Sequence, residues 1–289
     1  MNMRCGGVFR TCALVGLVLG LGCTPWLSTT QLSNTATAVH KVQFLVANVF
    51  VIEATDGVVI VDTGDAGKHG DILAALDKLG IDRGRVKLVV ITHAHGDHAG
   101  SAEKLATALS VPVAVGAGDV ADAAAGRGSR LHPTSIIAGL LKLFLKHDYP
   151  AFKPDIAVRG CLDLSEYGVP GLVVETRGHT PGSLVVILPG GDAIVGDITA
   201  GGYLGGLLGP RFPTEHYMQQ YPERTDAIVE WLLDYGVERL HVGHGGPLSA
   251  ASIRKRQENG KFNPPEGLKF VPAPCASIRA RDAASRRVR

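Results

Sequence analysis

Residues 92–98 read Thr-His-Ala-His-Gly-Asp-His and put His93, His95, Asp97 and His98 within six positions, directly after an apolar run that ends at Ile91. This is not a packing pattern. Three imidazoles and a carboxylate buried together without a cation would leave donors and acceptors unsatisfied, each at a considerable energetic cost. A tight loop containing glycine lets His93 and His95 point to one side while Asp97 and His98 turn to another. One loop can then serve two ions about 3.5–4 Å apart.

Three later segments repeat the design of a strand followed by a ligand-type residue beside glycine: Gly178-His179-Thr180-Pro181-Gly182, Gly196-Asp197, and Gly243-His244-Gly245-Gly246. Each alone reads as an ordinary turn or cap. Added to the first loop, they complete a ligand set for two metal ions. Seven ligands shared by two ions leave positions for water, as a catalytic rather than a structural site requires. Nitrogen and oxygen donors without thiolate suit zinc, and manganese or iron accept the same donors. A pair of divalent charges acidifies a bridging water toward neutrality and so supplies a hydroxide nucleophile.

The elements that must hold these residues follow from periodicity. Apolar residues crowd at strand spacing from Val42 to Ala54, and Gly57 to Val61 is a β-branched run that ends in Asp62-Thr63-Gly64. These predict two paired strands and a tight turn. A helix is predicted over 71–79, closed by Gly80, then a buried strand over 86–91, a helix near 100–109 and a strand over 111–115. Further strands are predicted over 172–175, 184–188, 193–195 and 239–242, with a helix over 222–235. Strands early and late with helices between them imply an α/β fold whose sheets are covered by helices on their outer faces. The segment 126–154 carries Ile136, Ile137, Leu140, Leu141, Leu143, Phe144 and Leu145 on a predicted helix that is apolar nearly all round. It is read as a core-packed helix or as a lid over the site.

The chain of 289 residues carries 29 basic and 27 acidic side chains, a balance that gives no reason to expect nucleic acid as a partner. Arg4 and Arg10 flank the start of an apolar stretch from Cys12 to Leu21, which has the form of an export signal over 1–22 and is too short to span a bilayer. Its end, Leu-Gly-Leu-Gly-Cys, resembles a lipoprotein cleavage site at Cys23. That predicts a membrane contact through a lipid, in the periplasm or cell envelope. Residues 23–40 read as a tether, 41–261 as the catalytic domain, and the proline- and arginine-rich 262–289 as a flexible basic tail. Cys161 and Cys275 read as ordinary thiols, with a disulfide as the alternative. His40, His69, His132 and His147 read as surface or loop residues, and His241 as a core residue or one that supports the ligands from behind.

The combination of His93, His95, Asp97 and His98 with His179, Asp197 and His244 resembles the metallo-β-lactamase superfamily, and the likeness runs from Val42 to Leu248. The resemblance implies a four-layer αββα sandwich with the site at one edge. It assigns His93, His95 and His179 to a first zinc ion, Asp97, His98 and His244 to a second, and Asp197 to a bridge between them. Asp62 matches the family's early structural aspartate behind the metal loop. Asp97 would also orient the nucleophile or pass its proton to the leaving group. Tyr203, His216 and Tyr217 lie where the family often places contacts to a small-molecule substrate.

The bridging aspartate bears on the reaction. In this family, β-lactamases generally lack it, whereas thioester hydrolases, lactonases and phosphodiesterases keep it. The resemblance therefore implies first a hydrolase of esters, thioesters or lactones, with β-lactam hydrolysis as the main rival because export suits it. A phosphodiesterase, an iron persulfide dioxygenase and a non-catalytic binding member are the remaining readings.

Overall fold

A computed structural model describes residues 25–33, 35–45, 47–129, 132–135, 138–139 and 148–273. Residues 1–22, read as an export signal, Cys23, His147, the apolar side chains named in the 126–154 segment, Cys275 and residues 274–289 lie outside the described residues.

The first sheet has seven strands in sequence order: β1 (Trp26–Gln31), β2 (Ala38–Gln43), β3 (Asn48–Glu53), β4 (Val58–Val61), β5 (Val86–Ile91), β6 (Val113–Gly116) and β7 (Ile156–Val158). The first four pair antiparallel, and β4 to β7 pair parallel. A second sheet of six strands is built from β8 (Cys161–Asp163), β9 (Leu172–Glu175), β10 (Leu184–Leu188) and β11 (Asp192–Gly196), with β14 (Arg239–Val242) and β15 (Leu248–Ser249) beyond β11. Between these last two pairs in sequence, β12 (Ala200–Tyr203) and β13 (Leu208–Thr214) form a separate hairpin.

Alternation along the strands explains the layers. Val59, Val61, Leu88 and Val90 point inward and pack with Val173, Leu184, Val186 and Ile194 of the second sheet. Their neighbours Val58, Ile60, Val89 and Ile91 point outward and pack on Ile72 and Leu76 of helix α1 (His69–Leu79). A strand buried on both faces reads as a continuous apolar run, as Leu88–Ile91 does after the exposed Lys87. After the four-residue turn of helix α2 (Gly96–Ala99), helix α3 (Ala102–Leu109) adds Leu105 to this outer layer. Helix α4 (Val120–Ala125) follows β6. On the opposite side, helix α5 (Pro222–Asp234) covers the second sheet with Ile228, Val229 and Leu232, and helix α6 (Ala250–Gln257) closes that layer with Ile253. The result is the four-layer αββα sandwich expected from the sequence. Among the described residues no helix is long and apolar enough to cross a membrane.

Several local expectations need correction. The stretch read as a tether contains β1, which pairs with β2 from Trp26 opposite Gln43 to Gln31 opposite Ala38. Its Ser and Thr residues mask the strand because an exposed edge strand needs little apolar content. The helix predicted near 100–109 is found as Ala102–Leu109, and a separate short turn, Gly96–Ala99, that was not predicted precedes it. The tail is not loose over its described part: Phe262 is buried, and the Phe270 ring lies 5.0 Å from that of Trp231. His40 is buried in β2, where its ring nitrogens meet Thr29 Oγ1 at 2.9 Å and Glu53 Oε2 at 3.2 Å. Cys161 is disulfide-bonded rather than an ordinary thiol. His241 is a core residue as expected, with Nε2 2.7 Å from Asp192 Oδ1.

Candidate metal centre

Parallel pairing brings the ligand loops to one edge. Because β4 and β5 run parallel, Asp62 after Val61 and the loop after Ile91 leave the first sheet at the same end. Because β11 and β14 run parallel, Asp197 and His244 leave the second sheet side by side. His179 enters from the turn between β9 and β10, whose first residue, Leu184, donates its N–H to the Thr92 carbonyl across the two sheets at 2.8 Å.

The seven ligand-type residues read from the sequence converge. Ligand atoms of His93, His95 and His179 lie within 4.8 Å of one another, as do those of Asp97, His98 and His244 and those of His93, His98 and Asp197. Asp197 stands between the two triads. Its Oδ2 is 3.1 Å from His244 Nε2, 3.7 Å from His93 Nε2 and 3.8 Å from His179 Nε2, while its Oδ1 is 3.5 Å from His98 Nε2. Asp97 Oδ2 lies 3.5 Å from His244 Nε2 and 3.8 Å from His98 Nε2. The Asp97 side chain is the most exposed of the seven, and the other six residues are buried.

Hydrogen bonds behind the imidazoles orient them. Asp62 is fully buried and accepts from Thr92 N at 2.7 Å, Thr92 Oγ1 at 2.8 Å and His98 Nδ1 at 2.8 Å. It holds a left-handed backbone conformation, φ +64°, which aspartate tolerates better than most residues. Because the Thr92 hydroxyl donates to Asp62, it accepts from His93 Nδ1 at 3.0 Å. Gln219 donates its amide nitrogen to the Asp197 carbonyl at 3.0 Å, so its Oε1 faces and accepts from His179 Nδ1 at 3.2 Å. In each case the proton is fixed on Nδ1, and the Nε2 lone pair is left for a cation. His95 is turned the other way, with Nδ1 3.0 Å from His179 Nε2.

The donor set fits a pair of divalent ions. His93 Nε2, His98 Nε2 and Asp197 Oδ1 are buried without a hydrogen-bond partner, although all three lie in the cluster. Groups so costly to strand are explained when cations take their lone pairs. The electrostatics agree. Burial drives His93 and His179 well below the ordinary histidine range, and neighbouring imidazoles push them further; burial brings His95 to about 4. These three are neutral, as metal ligands must be. Burial opposes the charge on His98, yet Asp197, Asp62 and Asp97 hold its pKa well above the ordinary histidine value. His244 likewise overcomes its burial and reaches about 9 beside Asp197.

Four residues that support or extend the centre carry no motif in the sequence. Asn48, at the start of β3, donates from Nδ2 to the Val242 and Gly245 carbonyls at 2.8 Å each and so pins the His244 loop. Asp119, after β6, accepts from Ala94 N, Thr180 Oγ1 and Gly182 N, which ties the His95 loop to the His179 loop. Burial lifts its carboxyl to about 6 despite these three donors. Gln219 orients His179, as described above. The fourth is His216, which the sequence suggests only as a substrate contact: its Nε2 lies 3.1 Å from Asp197 Oδ2. Of the other two suggested contacts, Tyr217 accepts from Leu204 N at 3.1 Å beside His216, and Tyr203 is half exposed on β12. Glycine is needed at 243, where a Cβ would fall on Asp197 Oδ1 and within 2.6 Å of His98 Cε1.

Comparison with known proteins bears on the family and the fold. Residues 42–244 match the sequence model of the family described as the metallo-beta-lactamase superfamily, which is well over half of the chain. A Bacillus subtilis protein, YobT, described as uncharacterized, is 27% identical over 216 residues, covering 73% of this chain and 88% of its own. Among solved structures, a Cronobacter sakazakii metallo-beta-lactamase with a HARLDQ motif superposes with a TM-score of 0.55 at 18% identity, covering 94% of this chain and 97% of that one. The subclass B3 metallo-beta-lactamase BJP-1 of Bradyrhizobium japonicum gives 0.52 at 18% identity with the same coverage. At such identities the structural likeness speaks for the fold.

Proposed function

The chain belongs to the metallo-beta-lactamase superfamily of metal-dependent hydrolases, and from that premise we propose that it is a binuclear enzyme cleaving an ester, thioester or lactone. The observation that carries this reading is the place of Asp197, whose Oδ2 lies between His93 and His179 of one triad and His244 of the other, with Oδ1 beside His98. A carboxylate there is the feature by which the sequence resembles the thioester hydrolases and lactonases of the superfamily rather than its β-lactamases. Two bound zinc ions, or manganese or iron in their place, would supply an acidified water at ambient pH and positive charge for the substrate's carbonyl oxygen.

The chain's own residues have distinct parts in this reading. His93, His95 and His179 hold one ion with neutral imidazoles, and Asp97, His98 and His244 hold the other. Asp197 fixes the spacing between them. Asp97, more open to solvent than its partners, both holds an ion and orients the attacking water or passes its proton to the leaving group. Tyr217 and Tyr203 lie on the side of the β12–β13 hairpin, where a substrate group would be met.

A second reading, β-lactam hydrolysis, is favoured by the similar solved structures, which are described as β-lactamases. The two are separated by assaying the metal-loaded chain on chromogenic esters, a thioester, lactones, a cephalosporin and a phosphodiester. Turnover of the acyl substrates supports the proposal, and turnover of the cephalosporin alone overturns it. The role of Asp97 is tested in the same assays with Asp97→Asn: a fall in kcat of roughly 10²-fold or more is expected. Unchanged turnover with both ions retained removes the role. An exported, lipid-anchored location is proposed from the Arg4 to Cys23 pattern. It is tested by incorporation of labelled fatty acid into the chain, which Cys23→Ser should abolish.

A further inference from the structure

We propose that His216 is an eighth protein ligand of the metal centre, binding through Nε2 beside His179 and Asp197. The proposal rests on the site holding metal and not on the identity of the substrate.

Three observations carry it. First, distance: His216 Nε2 is 3.1 Å from Asp197 Oδ2, the same separation that His244 Nε2 keeps from that oxygen. His93 and His179 are further from it, at 3.7 and 3.8 Å. His216 also forms a compact set with His179 and Asp197, its ligand atom within 4.8 Å of theirs.

Second, orientation: His216 Nδ1 is held by backbone on the far side of the ring, 2.8 Å from the Met218 carbonyl and 3.2 Å from the Met218 N–H, which turns Nε2 toward Asp197 and His179. Hydrogen bonds to Nδ1 from behind orient His93, His98 and His179 in the same way.

Third, confinement: the His216 ring stands edge-on to His179, with centroids 4.8 Å apart, and stacks on His244 at 5.4 Å and 29°. Its side chain is 12% exposed. A substrate contact needs a face toward the solvent side of the site, whereas this imidazole is wedged between ligands of the two ions. Counting it, His93, His95, His179, Asp197 and His216 would be the candidate donors on the His179 side, five where tetrahedral zinc takes four. The centre then suits an ion that accepts five or six ligands as well as it suits zinc.

The direct test is a crystal structure of the zinc-loaded chain. His216 Nε2 at about 2.0–2.2 Å from an ion is expected, and an Nε2 bonded to Asp197 or water with no ion in bonding range overturns the proposal. The independent test is competitive titration of the full chain and of His216→Ala with zinc against a chromophoric chelator. One of the two ions should bind about tenfold or more weakly in the variant while the other is unchanged. Cobalt loading gives a spectroscopic check: absorption should intensify in the variant as coordination falls toward four. Affinities of both ions unchanged to within about twofold, with an unaltered cobalt spectrum, contradict the assignment. No substrate enters these measurements, so their outcome is separable from that of the hydrolase reading.

Discussion

His98 and Asp62 are joined by a 2.8 Å hydrogen bond from Nδ1 to Oδ2, although neither residue is exposed to solvent and 36 positions separate them. With His98 as a metal ligand, as proposed, the bond would make Asp62 a residue that tunes it. An anion behind an imidazole fixes its ring and raises the basicity of the nitrogen that faces the ion.

Asp62→Asn tests this relationship with the backbone spared, because asparagine also accepts the left-handed conformation that Asp62 adopts. The ion held by Asp97, His98 and His244 should bind about 10- to 100-fold more weakly, measured by competitive titration. The other ion should be affected less, through Thr92 and His93. Equal affinity in variant and parent would show that the Asp62–His98 bond is structural only.

Asp119→Asn probes the second support. The carboxylate accepts three donors from two ligand loops, and an amide in its place turns one N–H toward them. Loss of these bonds should cost about 1–3 kcal/mol of stability. It should also weaken the ion held by His93, His95 and His179 more than its neighbour. Thermal denaturation read beside the metal titration checks both; an unchanged Tm with unchanged affinity contradicts the role.

The pH dependence of metal binding has a definite sign. Before an ion binds, His244 keeps its proton up to about 9, and His98 keeps its own well above the ordinary histidine value. An ion must displace those protons, so apparent affinity rises with pH, by about tenfold per unit for each proton released, and levels off above the pKa. Titration calorimetry in buffers of different ionisation enthalpy should register proton release near neutrality. An affinity independent of pH between about 7 and 9 contradicts this account.

The chemistry of the centre was legible because its residues come in dense or glycine-flanked groups that no packing requirement explains. Histidines 93, 95 and 98 with Asp97 are the clearest case, and the parallel strands before them announce themselves as β-branched runs. The supports were not legible. Asn48, Asp119 and Gln219 are single polar residues whose meaning comes from a partner tens of residues away. His216 lies in a loop with no glycine beside it, and only folding brings it to Asp197. Among the strands, β1 was hidden by its polar edge, and β7 and β8 by having three residues each, too few to display alternation. His40 was misread for a related reason: a histidine inside a short mixed strand gives no sign that Thr29 and Glu53 will satisfy it.

The central claim is that His93, His95, His179, Asp97, His98, His244 and Asp197 enclose a pair of cations. Elemental analysis of the chain after equilibration with zinc and removal of excess tests it most directly. Two ions per chain are predicted, and a stoichiometry of one or none at saturation would contradict the account.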